Sequence, residues 1–426
     1  MIKNTLSAVL GVALLTTALS AQAAVHRVYP GESIQGAIDV AAPGDTILVE
    51  PGVYQNENTG PDDKYGLHIT TPNLRLIGKV RKGRGDAGKV IVRYKDDGDG
   101  NNRTGQQTGI YAAPAGCDYD WDVERCEEEL GPGFEHLKGF YIRGFTVEGF
   151  PVNGIQTRWV DDFEFVRNES VNNLNNGIYP TLSANGLVRN NVSYGSLDTA
   201  MWVAGSEKVR VIGNELFGSV IGFEITVSNN VEVTQNRIYD NTVGVGLFHP
   251  NGAGNPPLPE MKNWVIEHND IFANNRPNEA PPGTFQADLP SGAGVLVLGV
   301  SDHVIGKNKI EDNDYVGIAV LGWCSALFGT PRQCTPQNLG DLRGPPQADN
   351  NRIEQNYVRG NGTGANPPIP FLAEDIVYFH IAETPGNEAF AFFELPGTGN
   401  CFEKNKPRDY TYFSSQWDGE LPTDGC

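Results

Sequence analysis

The stretch Val211-Ile212-Gly213-Asn214, followed 22 residues on by Val233-Thr234-Gln235-Asn236, decides the fold. The same signature stands upstream as Phe165-Val166-Arg167-Asn168 and Leu187-Val188-Arg189-Asn190. It returns downstream as Ile266-Glu267-His268-Asn269, Ile305-Gly306-Lys307-Asn308 and Ile353-Glu354-Gln355-Asn356. The early Asn positions are separated by 22, 24 and 22 residues, and the later gaps of 33, 39 and 48 are the same period carrying Pro- and Gly-rich insertions. A second marker, a small residue before an apolar one, runs beside the first: Gly154-Ile155, Gly177-Ile178, Ala200-Met201, Gly222-Phe223, Gly244-Val245, Gly294-Val295 and Gly317-Ile318. A period near 22 with alternating apolar residues means a stack of coils, each with at least two short strands.

One such coil cannot bury its apolar face alone. Stacked at about 4.8 Å, every strand pairs in parallel with its copies above and below, and the inward Val, Ile, Leu and Phe merge into one core. A side-chain amide repeated at a turn bonds its copies in adjacent coils, so the Asn column is structural, with Asn168, Asn190, Asn214 and Asn236 expected in line. Composition agrees. The chain has 426 residues, 39% hydrophobic and 20% charged, and its 51 Gly and 28 Pro favour many short strands over long helices.

These repeats resemble the right-handed parallel β-helix proteins, the pectate-lyase-like superfamily, over roughly residues 27–380. The resemblance implies an all-β, right-handed single-stranded parallel β-helix with an N-terminal capping helix and long turn insertions. The opening segment fits, since Ser33-Ile34-Gln35-Gly36-Ala37-Ile38-Asp39 places Ile34, Ala37, Ile38 and Ala41 on one helical face that would cover the end of the core.

Residues 1–23 read as a signal peptide, with Lys3, an apolar run and the Ala21-Gln22-Ala23 cleavage pattern, rather than as a membrane anchor. Residues 24–135 then hold the N-terminal cap and first coils, 136–380 the main coils with insertions at 250–262, 273–293 and 323–350, and 381–426 a C-terminal cap. Export leads to a periplasmic or extracellular location. The six cysteines then read as disulfides, Cys117 with Cys126, Cys324 with Cys334 and Cys401 with Cys426 by proximity alone, among 15 connectivities. A formal charge of −20 argues against nucleic acid and anionic lipid as partners.

Alternation on the sheet of the second marker takes Ile155, Ile178, Met201, Phe223 and Val245 inward and leaves Gln156, Arg158, Tyr179, Thr181, Trp202, Glu224, Thr226 and Phe248 outward. Leu296, Leu298, Ala319 and Leu321 continue the outward set under the later insertions. Arg158, Tyr179, Trp202 and Glu224 on successive coils have the character of a carbohydrate site, with Gln156 and Phe248 beside them: rings for stacking, a guanidinium and a carboxylate for hydroxyl or carboxyl groups. The same residues also suit packing beneath the insertions. His249, in Leu247-Phe248-His249-Pro250-Asn251, is similar to the Asp-Pro-His-Asp signature of secreted mannuronan epimerases without its acidic partners, and equally suits a turn histidine. His268 and His303 fall on another sheet and read as structural.

The resemblance implies a polysaccharide partner, with lyase or epimerase chemistry using Arg158, Glu224 and His249 and needing no cofactor. That chemistry needs a group that neutralises the sugar carboxylate and a base. Ca²⁺ could bridge an acidic protein to a polyanion, and Asp97, Asp99 and Asn101 in Asp96-Asp97-Gly98-Asp99-Gly100-Asn101 offer alternating oxygen ligands, although a solvated turn reads equally well. Hydrolysis needs two facing carboxylates, and alternation supplies only Glu224. The chain is comparable as well to periplasmic β-helix accessory proteins of nitrous oxide reductase maturation. That implies a non-catalytic, copper-linked scaffold with an exported protein partner.

Overall fold

The computed structural model describes residues 23–55, 64–95, 106–117, 126, 130–131, 133–249, 260–322, 348–379, 399–413, 420–423 and 426. The expected leader, the loop holding Asp97, Asp99 and Asn101, the Cys324 and Cys334 pair, and most of the insertions at 250–262 and 323–350 lie outside these residues.

Three all-parallel sheets run the length of the molecule, with twelve, eleven and ten strands among the described residues. The coil from Glu207 shows the unit. Glu207–Ile212 belongs to the twelve-stranded sheet, Glu215–Phe217 to the ten-stranded sheet and Ile221–Thr226 to the eleven-stranded sheet, after which Asn229–Thr234 pairs with Glu207–Ile212 again. The molecule is a right-handed parallel β-helix, and each coil carries three strands. The stacking is continuous through residue 135, because Leu137–Arg143 pairs with Leu74–Gly78 on one side and Val160–Val166 on the other. It also runs past residue 380, where Cys401–Glu403 and Tyr410–Phe413 extend two of the sheets.

The main core holds the inward residues of all three sheets, among them Ile155, Ile178, Met201, Phe223 and Val245 as alternation required. Where a capping helix is expected, one short helix of six residues is formed, Ile34–Asp39, about 9 Å, which does not confirm a cap. The Ser33 hydroxyl caps it by accepting from the Gly36 N–H at 2.9 Å. Ile34 and Ile38 enter the main core, with Ala37 and Ala41 partly buried against it.

The Asn column exists, but with one member corrected. Register sets Val188 beside Phe165 and Val211, so the residue in line with Asn168 and Asn214 is Asn191, not Asn190. Asn190 is the preceding residue, at φ 56°, a left-handed position taken by Arg167, Gly213, Gln235, His268, Lys307 and Gln355 in other coils. Each amide of the true column is fully used. Asn214 Oδ1 accepts from Asn191 N and Nδ2 at 2.9 and 3.0 Å, while Asn214 Nδ2 donates to Asn236 Oδ1 and to the Val188 carbonyl. The pattern repeats through Asn269, Asn308 and Asn356 to Asn405.

A second column, not singled out in the sequence, holds Asn173, Ser196, Ser219, Asn241, Asn274, Asn313 and Asn361, and is hydrogen-bonded from coil to coil from Ser196 onward. It ends on a carboxylate. Asp375 Oδ1 accepts from Asn361 N and Nδ2, and its Oδ2 accepts from the Arg408 N–H at 2.7 Å. On the outer side of the ten-stranded sheet Tyr194, Phe217, Tyr239 and Phe272 form a third column, their rings stacked 4.7–5.2 Å apart.

The small residues of the second marker also gain a reason. A Cβ built on Gly177 would lie 2.0 Å from Ser193 Oγ, and one on Gly222 would lie 2.5 Å from Ile238 Cγ2. This column therefore points into the core at a corner, immediately before a residue that also points inward, and the strands bend there.

Replacing Asn214 by Ala strands two donors of Asn191 in a buried turn, each costing about 1–3 kcal/mol. Asn190→Gly, which reproduces the neighbouring coil's Gly213, is expected to change stability by less than about 1 kcal/mol. Thermal midpoints of the two variants should separate clearly; equal midpoints would place the ladder at Asn190 after all.

Candidate functional site

Cross-strand register on the eleven-stranded sheet forms the row Tyr111, Gln156, Tyr179, Trp202, Glu224, Gly246 and Leu296. Arg158 stands two residues along its strand, in the adjacent row with Thr181, Ala204, Thr226, Phe248 and Leu298. The expected stripe is thus two neighbouring rows, and Gln156 rather than Arg158 is in line with Tyr179, Trp202 and Glu224.

All these side chains face outward, yet most are covered. Arg158, Tyr179 and Glu224 are 3%, 8% and 4% exposed, and Trp202 is half-buried. Tyr179 and Trp202 stack on one another, centroids 4.6 Å apart, so their faces are turned along the molecule and an approaching sugar meets ring edges. Trp202 Nε1 donates to Thr226 Oγ1 at 3.1 Å. Burial pushes the Tyr179 phenol up to about 12, which keeps it protonated and removes it as a base near neutrality.

Phe248 is buried in a second apolar cluster with Val220, Ile221, Val243, Leu296 and Leu298, and Phe285 meets it edge-on at 5.2 Å. Ala280 and Leu289 join the same cluster, so the 273–293 insertion lies over the apolar half of the sheet. A Cβ on Gly246 would meet the Phe248 ring at 2.3 Å. The missing side chain there lets the ring lie over the strand beside Glu224. His249 follows this strand, fully buried, its N–H donating to the Leu298 carbonyl at 3.0 Å. His303 is structural: it stacks on Trp264 at 4.1 Å, and burial lowers its imidazole to about 3.

Alternation missed the group that completes the site. Counting back from Trp202 makes Thr199 an inward residue, but the bend at Ala200 reverses it. Thr199 pairs with Ile221, whose side chain lies in the outer cluster. Thr199 Oγ1 stands 2.7 Å from Glu224 Oε2 and 3.1 Å from Asp198 Oδ1. A hydroxyl carries one proton, so both contacts are hydrogen bonds only when one carboxyl is itself protonated. Electrostatics agree. Burial, reinforced by the charge of Asp198, raises Glu224 well above the ordinary carboxylate range, and burial raises Asp198 as well, against hydrogen bonds from Thr199 and Gln286. Both carboxyls are thus pushed toward the protonated form, with Thr199 the bridge between them. Gln286 belongs to the covering insertion, which therefore touches this pair directly.

Polar side chains extend the tract toward the N-terminal coils. Asn153 donates to Gln156 Oε1 at 2.9 Å and its Oδ1 accepts from Asn176 Nδ2 at 3.1 Å. Gln156 Nε2 and Asn176 Oδ1 are buried without a hydrogen-bond partner among the described residues. The sequence held one signal for this tract: the position of Asn153, Asn176 and Thr199 becomes Ile221, Val243 and Ala293 in the following coils.

The disulfides Cys117–Cys126 and Cys401–Cys426 are formed. Among the described residues one group of metal-ligand types gathers, Cys401, Glu403 and Cys426, and its two sulfurs are bonded to each other rather than available as thiolates. No helix among the described residues is long and apolar enough to cross a membrane.

Residues 135–338 match the family model of the right handed beta helix region. The fold is that of a right-handed parallel β-helix. No curated protein matches the chain in sequence. Among solved structures, the A-module of a mannuronan C-5 epimerase from Azotobacter vinelandii is similar at TM-score 0.52 and 17% identity, covering 90% of this chain and 94% of that one. A family 28 exopolygalacturonase from Yersinia enterocolitica is similar at TM-score 0.50 and 11% identity, covering 93% and 78%. The Dettilon tailspike protein is similar at TM-score 0.51 and 11% identity, covering 92% and 61%. At these identities the likeness is one of fold.

The carboxyl pair predicts a pH signature. Both groups have folded-state values above their unfolded ones, so the stability they contribute is full below the unfolded values and is lost as pH rises, through about 6 for Asp198. Glu224→Gln should therefore gain in thermal midpoint relative to the parent as pH is raised from about 4 to 7. A constant difference across that window would contradict the shared-proton assignment.

Proposed function

We propose that the protein modifies an exported polysaccharide containing uronate residues, by β-elimination at the Asp198, Thr199 and Glu224 site. The observation that carries this reading is one hydroxyl held between two buried carboxyls, which gives an acid and a base side by side. Their placement on one side of the substrate suits removal of a proton and departure of an oxygen from the same face.

In the reaction the Asp198 carboxylate takes the proton from the carbon beside the sugar carboxylate. The electron pair left behind forms the carbon–carbon double bond, the neighbouring glycosidic carbon–oxygen bond breaks, and Glu224 gives its proton to the leaving oxygen. The proton gained by Asp198 then returns to Glu224 through the Thr199 hydroxyl, and the pair is reset. Arg158, in the adjacent row, neutralises the uronate carboxylate and so makes the carbon-bound proton more acidic. His249, at the end of the next strand, stands as a second proton carrier. The epimerase and exopolygalacturonase folds support a glycan as the substrate class, and the two disulfides support an oxidising compartment where such a glycan is met.

The deep burial of Arg158 and Glu224 favours a second reading, a non-catalytic scaffold in which the row serves packing. Incubation with polymannuronate, polygalacturonate and neutral glucans separates the two. Elimination yields unsaturated, ultraviolet-absorbing ends from a polyuronate, and Glu224→Gln should lower that rate by about 10²–10⁴ with the fold retained. New reducing ends without unsaturation would move the pair to hydrolysis, and no change in any glycan would leave the scaffold.

A further inference from the structure

The outer face of the twelve-stranded sheet is not evenly charged. One outward file, set by cross-strand register, carries Arg143, Val166 and Arg189 in the early coils and Glu267, Glu354 and Glu403 in the late ones. Each late acid has a cation beside it: Glu267 meets Lys307 at 3.0 Å, Glu354 meets Arg352 at 2.6 Å and Glu403 meets Lys404. The early cations have no such partner. Arg143, Arg189 and Arg167, which follows Val166, form no ion pair or side-chain hydrogen bond among the described residues. In a chain of 52 acidic and 32 basic residues, three unpaired guanidinium groups on three successive coils are an exception.

Their surroundings leave them open. Arg143 and Arg167 are exposed, while Arg189 is half-buried with only its Nε covered and unpartnered, so its terminal nitrogens remain to meet a ligand. Val166 faces outward between Arg143 and Arg189 yet is 3% exposed, the cover that arginine stems lying along a sheet supply. At the corner beyond them opens a shallow hollow of about 420 Å³, bordered by Arg167, Lys89, Thr146, Glu169 and Asn190. The acid on its wall, Glu169, is taken by Lys89 at 2.5 Å and by the Thr146 hydroxyl at 3.1 Å. Glu164, in the neighbouring outward file opposite Tyr141 and Leu187, forms no ion pair with the three arginines. Positive charge is therefore left over here, and the repulsion among like charges on adjacent strands is relieved by an anion from outside.

The spacing says what kind of anion. Strands two coils apart are about 10 Å apart, so Arg143 and Arg189 suit a ligand that repeats its charge along the axis rather than one small ion. A planar guanidinium matches a carboxylate in a two-point contact. We propose that Arg143, Arg167 and Arg189 form an accessory site for the carboxylates of a polyuronate chain lying along the twelve-stranded sheet, on a different face from the Asp198 and Glu224 pair. The identity of the polymer rests on the glycan reading above, while the basic strip stands on register and unpaired charge alone.

The test is titration calorimetry on the full chain carrying Glu224→Gln, so that no polymer is cut, with polygalacturonate, monomeric galacturonate, neutral dextran and inorganic phosphate. Saturable binding of polygalacturonate that weakens with added salt is expected, with none of neutral dextran. Arg143→Gln, Arg167→Gln and Arg189→Gln should each weaken it about fivefold, the worth of one exposed ion pair, and Glu354→Gln should leave it unchanged. Arg143→Gln and Arg167→Gln alter exposed side chains, so they remain informative if Arg189→Gln misfolds. Elimination by the parent protein is followed separately. Elimination together with a polymer affinity untouched by all three arginine changes would overturn the strip and leave the catalytic reading standing. Affinity lost with the arginines but no elimination of any polyuronate would keep the strip and remove the catalytic reading. Galacturonate or phosphate bound as tightly as the polymer, or no binding of polygalacturonate, would overturn the proposal.

Discussion

The structure depends on a buried amide meeting its own copy in the next coil. Eight asparagines from Asn168 to Asn405 stand in one file, each accepting from the coil before and, as far as Asn356, donating to the coil after. The polar groups of a buried turn must find partners within the protein, so a side chain that is both donor and acceptor, and short enough not to fill the core, is the economical way to satisfy them. Because the same bond recurs at every rung, the coils cannot slide by one residue without breaking the whole file. Register on all three sheets follows, and with it the position of every outward side chain.

That dependence explains what the sequence disclosed and what it withheld. The Asn period and the small-residue marker are legible because each is imposed by contacts between copies of one position. Asn190 and Asn191 adjoin in one coil, and the repeat alone does not separate them by more than one residue. Both are structural, but one sits in the file and the other supplies the left-handed turn before it. The outward set was legible wherever strands are straight. It failed at Thr199, since the bend at Ala200 puts two consecutive residues inward and inverts the count beyond. Asp198, just outside the strand, obeys no alternation at all. A site built where a strand bends is invisible to a rule that assumes strands do not.

Cover matters as much as constellation. The 273–293 insertion packs on the later coils through Ala280, Phe285 and Leu289, and reaches the acidic pair through Gln286. Polar residues on the middle coils thus adjoin an apolar roof, which excludes water and raises both carboxyls. The aromatic pair adds bulk to that environment rather than a flat platform, because Tyr179 and Trp202 spend their faces on each other. Electrostatics at this site are therefore a product of the insertion as much as of the coils.

The carboxylate of Asp375 bears on how such an array changes length over evolutionary time. Asn241, Asn274 and Asn313 upstream each pass a donor to the following rung, so a duplicated coil inserted among them finds both neighbours already complementary. Asp375 accepts and has no side-chain proton to hand on, and its second oxygen is taken by the main chain at Arg408. New rungs in that file are accommodated on one side of it and refused on the other, and the chain carries its own stop mark for growth.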